Sequence, residues 1–527
     1  MLMMFQMMGK LDGTEKRVLH GSTRRGFVLL TVLVVVAFLA LAAYRYNDLM
    51  TSENMAAHGA QRAAQTRALA ESGIHYAMSM LAGQGSIGPM VSEQIEVDPG
   101  NSSPLKGTFE IIEVDEESAK INLNALLDND SGAGSLTEVL GKAQALMPEL
   151  DDAIVSAIID WMDEDDEEGD LGAENTYYMA LENPYRCKNG PLDNLDELLL
   201  VKGVTKELMN GTETSPGLRS LFTVASREVN FDAEGSSVIH VNSVDLATLE
   251  SALDAGFGNK TLTQFVIAYR LYGGKKGADV AGMAQAAGVT GSSAVTGAAQ
   301  SAARGDSSAL GAMASGAGID LAKVQEQIDK DKQPNFFRSL KKVDSLFDLA
   351  GKDVTVSYQD GKDKKTVTLP SPLRDASVAA ELMPQLFALM SAMPTPDSPE
   401  KVEMPARMNV NSAPSVILSL LPSLEEGDVQ NITSNQPQSG DPAGANLAWL
   451  LTKAQVSATK LSSVEKYLTS RPKLFRVVVA GKLDGFGVST VMEAMIDLSG
   501  PRPRIASLQD QSENFRSSAK SAGSGGR

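Results

Sequence analysis

The strongest pattern near the start of the chain is a run of apolar residues from Phe27 to Ala43. At about 17 residues, this run can just cross the apolar core of a bilayer as a helix. Arg24 and Arg25 precede it, and the residues 44–46 that close it are aromatic and cationic, which is typical of an anchor at the membrane–water interface. The pattern predicts one transmembrane segment.

The helical pattern continues beyond this run. Between Asn47 and Leu81 there is no proline, alanine is abundant, and apolar residues recur at roughly helical spacing. Joined to the apolar run, this segment predicts a single helix of more than 50 residues, about 80 Å long at 1.5 Å per residue.

The rest of the chain combines a few strands with many helices. Thr108–Val114 has the composition of a strand, and Leu474–Ala480 and Thr490–Leu498 read as paired strands across Gly481–Gly487. Between these regions, helices and loops alternate as far as about residue 470. The sequence therefore predicts an α+β fold: a long N-terminal helix, a small antiparallel sheet and a large inserted helical domain.

Three segments repeat one pattern, in which an asparagine in a short extended piece leads into an apolar-periodic helix: Ile121–Leu127, His240–Leu249 and Met408–Leu418. Asn124, Asn242 and Asn411 stand where a helix N-cap belongs, so we expect their side chains to accept from first-turn amides. Gly203 marks a tight turn between two helices. Such units resemble helix-hairpin-helix or SAM-like modules, and we expect the turns here to be structural.

These patterns divide the chain into segments. They are a leader (1–26), the long helix (27–83), the start of a β region (84–120), a first helical lobe with an acidic loop (121–230), a second helical repeat (231–407) with a low-complexity insertion (278–320), a third repeat (408–470), a C-terminal β region (471–508) and a tail (509–527). The insertion is rich in Ala, Gly and Ser, which predicts a flexible or loosely helical excursion. The tail is predicted to be disordered.

Charge and composition restrict the function. The net charge of −19 argues against a broad phosphate-binding surface. Residues 1–26 carry five Lys or Arg against two Asp or Glu, so the positive-inside rule places them in the cytoplasm and the globular part outside. One cysteine, Cys187, excludes an internal disulfide framework. No nucleophile–base pair or phosphate loop is visible, so we do not expect an enzyme.

The candidate chemistry lies in the acidic segment Asp160–Asp170, which follows an apolar helix and is followed by Glu174. A hard cation with six to eight oxygen ligands would relieve the repulsion among so many carboxylates. The spacing is not that of an EF-hand. A solvated acidic loop explains the same residues equally well, and the spacing alone leaves both interpretations open.

The ordered combination of these features resembles the minor pseudopilin K family of type II secretion. The matching motifs are the Gly26–Leu81 region, Lys120–Asn124, Asp160-Trp161-x-Asp163-x-Asp165-Asp166, Gly172-Ala173-Glu174, Tyr178, Asn183-Pro184-Tyr185, Lys188–Leu192, the helical Leu195–Leu208, Asn409–Pro414 and the strands from Phe475. Residues 209–407 are an additional stretch of sequence that the resemblance does not cover.

The resemblance implies a prepilin leader that a prepilin peptidase cuts between Gly26 and Phe27. The mature protein would be a single-pass inner-membrane protein with a cytoplasmic N-terminus and a periplasmic head. It would pack against minor pseudopilins I and J and the major pseudopilin, and it would initiate and cap the pseudopilus at its tip. Contacts with the secretin and with secreted cargo are further implied partners.

Two further expectations come from the resemblance. Counting Phe27 as mature position one, position five is Thr31, where most pilins have a glutamate; family K members similarly lack it. The family binds calcium in its head, and the matched acidic positions are Asp160, Asp163, Asp165, Asp166 and Glu174. The alternative interpretation is a membrane-anchored helix-hairpin-helix module of a type IV pilus or DNA-uptake apparatus, although the acidity gives no reason to expect a nucleic acid.

Overall fold

The computed structural model of the chain describes residues 25–84, 94–97, 106–128, 134–229, 239–276, 321–332, 340–391, 403–438, 441–470, 473–483, 489–499 and 502–513. Residues 1–24 of the predicted leader, the whole insertion 278–320 and residues 514–527 of the predicted tail lie outside this part of the chain.

The helices, in chain order, are α1 (Arg25–Gln84), α2 (Leu123–Asp128), α3 (Gly134–Ala143), α4 (Asp152–Met162), α5 (Asn175–Tyr178), α6 (Lys206–Asn210), α7 (Leu218–Leu221), α8 (Leu246–Phe257), α9 (Lys260–Tyr272), α10 (Leu321–Asp331), α11 (Asp348–Gly351), α12 (Ala376–Leu389), α13 (Ser415–Leu418), α14 (Glu426–Ser434), α15 (Ala448–Thr452) and α16 (Ala458–Val464). Short 3-10 helices span Glu117–Ala119, Leu195–Leu200, Pro372–Arg374, Pro442–Ala445 and Glu465–Tyr467.

The strands, in chain order, are β1 (Gln94–Val97), β2 (Gly107–Glu116), β3 (Ile121–Asn122), β4 (Phe222–Thr223), β5 (Arg227–Val229), β6 (Ile239–His240), β7 (Gly274–Lys276), β8 (Lys352–Asp360), β9 (Asp363–Leu369), β10 (Met390–Ser391), β11 (Glu403–Pro405), β12 (Met408–Asn409), β13 (Leu468–Thr469), β14 (Leu474–Leu483), β15 (Ser489–Asp497) and β16 (Arg504–Asp510). The predicted α+β class is confirmed.

Helix α1 is continuous over 60 residues, about 90 Å at 1.5 Å per residue. Its apolar first half is exposed, and the segment Val28–Gly83 is long and apolar enough to cross a membrane. Buried residues begin near Thr66, where the helix meets the sheet. The helix therefore has a bare apolar half and a packed half, as the sequence predicted.

The packed half of α1 lies on a five-stranded sheet with the order β1-β2-β14-β15-β16, in which every neighbouring pair is antiparallel. Alternate residues of a strand face one side of a sheet, and one such face supplies the apolar contacts for α1. The shared core contains Ala70, Ile74, Ala77 and Leu81 of the helix with Phe109, Ile111, Val477, Val479, Met492, Ala494 and Ile496 of the strands.

A glycine sets how closely the helix approaches the sheet. A Cβ atom on Gly481 of β14 would lie 2.0 Å from the carbonyl oxygen of Thr66 and 2.7 Å from the amide nitrogen of Ala70, both in the backbone of α1. Beside this contact the hydroxyls of Thr66 and Thr490 hydrogen-bond at 2.7 Å. Only a residue without a side chain permits this approach.

The large helical lobe is inserted between the adjacent strands β2 and β14. A Cβ on Gly107, where β2 begins, would touch Leu69 of α1, whereas a Cβ on Gly73 would touch Phe109. The strand therefore advances toward the C-terminal end of α1 as it runs to Glu116. Since the lobe leaves the sheet there, it sits at the end of the sheet that points away from the apolar half of α1.

The lobe contains three units, each opened and closed by a two-residue parallel bridge. Strand β3 pairs with β4, β6 with β10, and β12 with β13. Each first strand lies in one of the three repeats found in the sequence or begins one residue before it. The buried apolar residues of the three units form one contiguous cluster between Ile121 and Leu468.

The predicted N-cap role of the three repeat asparagines is wrong. The side-chain amide of Asn124 pairs with both backbone groups of Leu192 at 2.8 and 2.9 Å, and that of Asn242 pairs in the same way with Val343 at 2.9 and 2.8 Å. Asn411 donates to the carbonyl of Gly444 and accepts from the Trp449 indole. Each asparagine ties its unit together at long range, because an amide side chain can replace a backbone pairing partner.

The sequence prediction missed strand β1, the sheet inside the second unit and strand β16. Strands β7, β8 and β9 form an antiparallel sheet inside the second unit, and Gly361 turns between β8 and β9 with φ +66°. The Asp360-Gly361 pair is a hairpin signal that would have revealed it. Strand β16 adds a fifth strand to the main sheet, so the predicted disordered tail is wrong at Gln509 and Asp510, which belong to this strand.

Buried charges join the sheet to the lobe. The Lys120 ammonium lies 2.6 Å from Asp115 and 2.7 Å from Glu117, and the Arg476 guanidinium lies 2.5 Å from Glu113 and 3.4 Å from Glu117. Buried cations require such partners, since an unpaired buried charge is strongly destabilising. These pairs fix the last residues of β2 against β14 and the start of the first unit.

A second connection reaches the third unit through Glu116. Its carboxylate accepts hydrogen bonds from Ser118 at 2.8 Å, Ser412 at 2.7 Å and Asn409 at 3.1 Å. Burial raises the pKa of Glu116, although these donors oppose the shift. The end of β2 therefore touches both the first and the third unit.

The close approach of α1 and β14 makes a direct prediction. Gly481→Ala should lower the free energy of unfolding by about 1–3 kcal/mol, because the added methyl group must push two backbones apart. Gly59→Ala, in the exposed part of α1 with no atom within 4 Å of its Cβ position, should be neutral or stabilising by about 0.5–1 kcal/mol. Thermal unfolding of both full-length variants in detergent would test this, and equal melting temperatures would contradict it.

Candidate functional site

The acidic loop is presented by the well-formed helix α4. Asp151 caps the helix by accepting from the amide of Ile154 at 2.9 Å, which satisfies an unpaired first-turn donor. The helix buries Ile154, Ala157, Ile158 and Trp161 in the lobe core. It ends at Met162, so Asp163 begins a loop that returns at Glu174, the N-cap of α5.

Asp160 holds the two ends of this loop together. Its carboxylate accepts from the amide of Ala173 at 2.8 Å and from that of Gly169 at 3.2 Å. A Cβ on Gly172 would lie 1.8 Å from its Oδ2, so glycine is required at that position. Burial raises the pKa of Asp160, and the two amides oppose the shift.

The outer part of the loop is tied down through Asp166. Its carboxylate accepts from the side-chain amides of Asn175 at 2.9 Å and Asn189 at 3.0 Å. Asn175 also accepts from the amide of Cys187 at 2.9 Å. Asn189 adopts a left-handed conformation with φ +46°, which asparagine tolerates better than most residues, and this places its side chain beneath the loop.

Three buried oxygens at this site lack a hydrogen-bond donor within the described part of the chain: Oδ1 of Asp163, Oε1 of Glu174 and Oδ1 of Asn189. Buried oxygens are normally hydrogen-bonded, and an unpaired one is costly. Carboxylate and amide oxygens are the atoms that hard cations coordinate. The three oxygens are therefore of the chemical type that calcium coordinates.

The electrostatics agree with this interpretation. Burial raises the pKa of Asp163 to about 6, and the neighbouring carboxylates of Asp165, Asp160 and Glu174 add to the shift. Burial also raises the pKa of Glu174, and Asp160 again contributes. Without a bound cation, ionisation of these carboxylates is therefore unfavourable, because like charges are held close together in a partly buried position.

The predicted acidic residues divide into different roles. Asp160 and Asp166 accept hydrogen bonds within the loop, Asp165 accepts from the amide of Glu167 at 2.8 Å, and Asp163 and Glu174 keep unpaired oxygens. In the described residues, no three His, Cys, Asp or Glu side chains converge closely enough to hold a metal by themselves. Asn189, which the carboxylate pattern overlooked, supplies a further oxygen. The Asn189-Gly190 dipeptide, which marks a turn, was the available sequence signal.

The predicted processing residues lie at the other end of the molecule. Gly26, Phe27 and Thr31 all fall in the first turns of α1. Cleavage between Gly26 and Phe27 stays a prediction.

Comparison with known proteins bears on the segment that contains the acidic loop. Residues 119–213 match the family model for the first domain of protein K of the type II secretion system. This segment is therefore similar to that domain, and we call residues 119–213 the protein K domain. The match contains the whole acidic loop, and it confirms the resemblance that the sequence motifs indicated.

Two other comparisons concern solved structures and curated proteins. Among solved structures, a chain of the GspK-GspI-GspJ complex from the enterotoxigenic Escherichia coli type 2 secretion system is similar over 87% of this chain and 99% of that chain, with 12% identity and a TM-score of 0.38. A search of curated proteins found no match.

The protein K domain holds most of the charge of the chain. Residues 119–213 contain six Lys or Arg against 21 Asp or Glu, so this segment contributes −15 of the total −19. The acidity that the composition showed for the whole protein is therefore concentrated on one unit of the lobe.

The raised pKa of Asp163 predicts a specific pH dependence. In the metal-free protein the protonated, neutral form is favoured by folding, so its stabilising contribution is present below the ordinary value of 3.8 and is lost as the pH rises through about 6. In chelator, Asp163→Asn should therefore melt at the same temperature as the unmodified protein near pH 4 and at a higher temperature at pH 7.5.

The matched control is Glu164→Gln, which removes the same charge from an exposed position in the same loop. It should change the melting temperature little at either pH. If Asp163→Asn were not stabilising at pH 7.5, or if both variants rose equally, the local burial of Asp163 would not be the cause.

Proposed function

We propose that this protein is the minor pseudopilin at the tip of a type II secretion pseudopilus, where it initiates and caps the filament. The observation that carries the proposal is the protein K domain at residues 119–213, inserted into the sheet that packs on a long, half-apolar helix. The bare half of α1 would anchor the chain in the inner membrane and pack beside the helices of minor pseudopilins I and J and the major pseudopilin.

The position of the lobe supports the capping role. The three units leave the sheet at the end that points away from the apolar half of α1, as the contacts of Gly107 and Gly73 indicate. A filament subunit with so much mass above its sheet leaves no room for another subunit on top. The role is structural, and the secretin or the exported cargo would meet this exposed end.

Thr31 fits the same position. An ionised glutamate in the bilayer core costs about 2.5–3.5 kcal/mol or more without a partner. The subunit at the tip has no N-terminal amine of another subunit above it to supply that partner. A threonine at mature position five avoids this cost, so its presence supports a tip subunit over a repeating one.

We further propose that the acidic loop binds calcium. Asp163, Glu174 and Asn189 would supply their unpaired oxygens, and the loop would contribute further ligands from its other matched acidic residues, Asp160, Asp165 and Asp166. The bound cation would offset the repulsion among the carboxylates and keep the loop folded against α4.

Leader processing gives the first test of the pseudopilin role. Gly26→Val should block cleavage by the prepilin peptidase, so that the chain keeps its leader and fails to support secretion. Gly21→Val, a matched change of another leader glycine, should be processed normally. N-terminal sequencing of the membrane-extracted protein decides the matter: a mature N-terminus at Phe27 in the Gly26→Val protein would overturn the proposal.

Calcium addition tests the site independently of secretion. Millimolar calcium should raise the melting temperature of the full-length protein in detergent at pH 7.5, because an ion that binds only the folded state stabilises it by mass action. Asp163→Asn and Glu174→Gln should abolish most of this rise, whereas Glu164→Gln should retain it. A rise of equal size in all four proteins, or none in the unmodified protein, would refute the site.

A further inference from the structure

The protein K domain exposes a group of large apolar side chains beside its acidic loop. Leu171, Tyr177, Met179, Leu199 and Leu200 are between 36% and 55% exposed. We call these five residues the apolar patch. Single exposed apolar residues are ordinary on a protein surface, but a contiguous group of them marks an interaction site.

Contacts through Lys202 show that the central members of the patch are neighbours. The Lys202 ammonium donates to the carbonyl of Gly172, next to Leu171, at 2.8 Å, and it lies 5.0 Å from the centre of the Tyr177 ring. Its backbone amide donates to the Tyr178 hydroxyl at 3.2 Å. The Tyr185 ring lies 5.3 Å from that of Tyr178, and its hydroxyl donates to the Leu200 carbonyl, so the Leu200 backbone also lies near Tyr178. Met179 follows Tyr178 and Leu199 precedes Leu200 in the chain.

The patch rests on a rigid base. Beneath it the rings of Trp161 and Tyr178 meet edge to face at 5.1 Å, and the Tyr185 hydroxyl donates to the Leu200 carbonyl at 2.7 Å. Trp161 and Tyr178 are buried. Apolar side chains held in place on such a base lose little further entropy on binding a partner.

The surroundings of the patch are acidic. Glu164, Asp165, Asp166, Glu167, Glu168 and Asp170 are all exposed immediately before Leu171, and the domain as a whole carries −15. Lys202, beside the patch, donates one hydrogen bond to the Gly172 carbonyl and lies over the Tyr177 ring. We propose that the apolar patch docks a protein segment in which bulky apolar residues are flanked by lysine or arginine.

The charge decides against other occupants. A second copy of the chain meeting the same face would bring two strongly negative domains together, which is unfavourable because like charges repel across an interface. Anionic lipid headgroups and nucleic acids are repelled for the same reason. The proposal does not require the tip position or calcium, since it rests on the surface of the domain alone.

The test uses the full-length protein in detergent and a fluorescein-labelled peptide with a Leu-Phe-Leu centre between pairs of lysines. Fluorescence anisotropy, after subtraction of binding to protein-free micelles, should show saturable binding that weakens with salt. A peptide with glutamates in place of the lysines, and one with serines in place of the apolar centre, should each bind at least tenfold more weakly.

The patch itself is tested with the double variant Leu171→Ser/Leu200→Ser, which should weaken binding of the lysine peptide at least tenfold. The matched control is Val244→Ser/Val416→Ser, which changes two exposed apolar residues in the second and third units and should leave the affinity within twofold. Melting temperatures show whether each variant is folded.

Three results would overturn the proposal. One is equal affinity of the patch variant and the unmodified protein, and another is equal binding of the lysine and glutamate peptides. The third is a concentration-dependent dimer in analytical ultracentrifugation that the patch variant abolishes, since that would assign the face to self-association.

Discussion

The antiparallel pairing of β2 with β14 is the contact on which the rest of the structure depends. It brings Glu116 beside Phe475 and so closes a chain segment of more than 350 residues, a step whose entropic cost must be repaid by the contacts it creates. Two sets of contacts offset this cost: the apolar contacts of the sheet with α1, and the buried ion pairs of Lys120 and Arg476. Without this pairing, the lobe would be linked to the helix and the sheet only by the chain segments that enter and leave it.

The same pairing determines where the functional parts lie. Because β2 advances along α1 away from the apolar half, everything inserted after Glu116 is carried to the far end of the sheet. An insertion at the opposite end of the strand pair would have put the protein K domain beside the membrane. The topology thus separates the apolar half of α1 from the acidic protein K domain.

The sequence predicted best what is repeated or long. The helix α1 is visible because its period and hydropathy persist over many turns, and the three units are visible because each begins with the same asparagine pattern. What those asparagines do was not predictable, since their partners lie 68, 101 and 33 residues away. Strand β16 was missed because six of its seven residues are exposed and its sequence, Arg-Ile-Ala-Ser-Leu-Gln-Asp, lacks clear alternation. At the site, the acidic residues were identified, but their division into hydrogen-bonded and unpaired groups depends on amides brought in by the fold.

The charge of the protein K domain has two separate consequences, because its carboxylates face in two directions. Asp163 and Glu174 keep unpaired oxygens in the interior of the loop, whereas Glu164, Glu167, Glu168 and Asp170 point to solvent. One divalent cation on the inner oxygens would still leave a domain charge of about −13. A cation can therefore stabilise the loop without neutralising its outer surface. Binding of an ion and recognition of a basic partner are compatible at this loop, and folding the loop would hold Leu171 in the apolar patch.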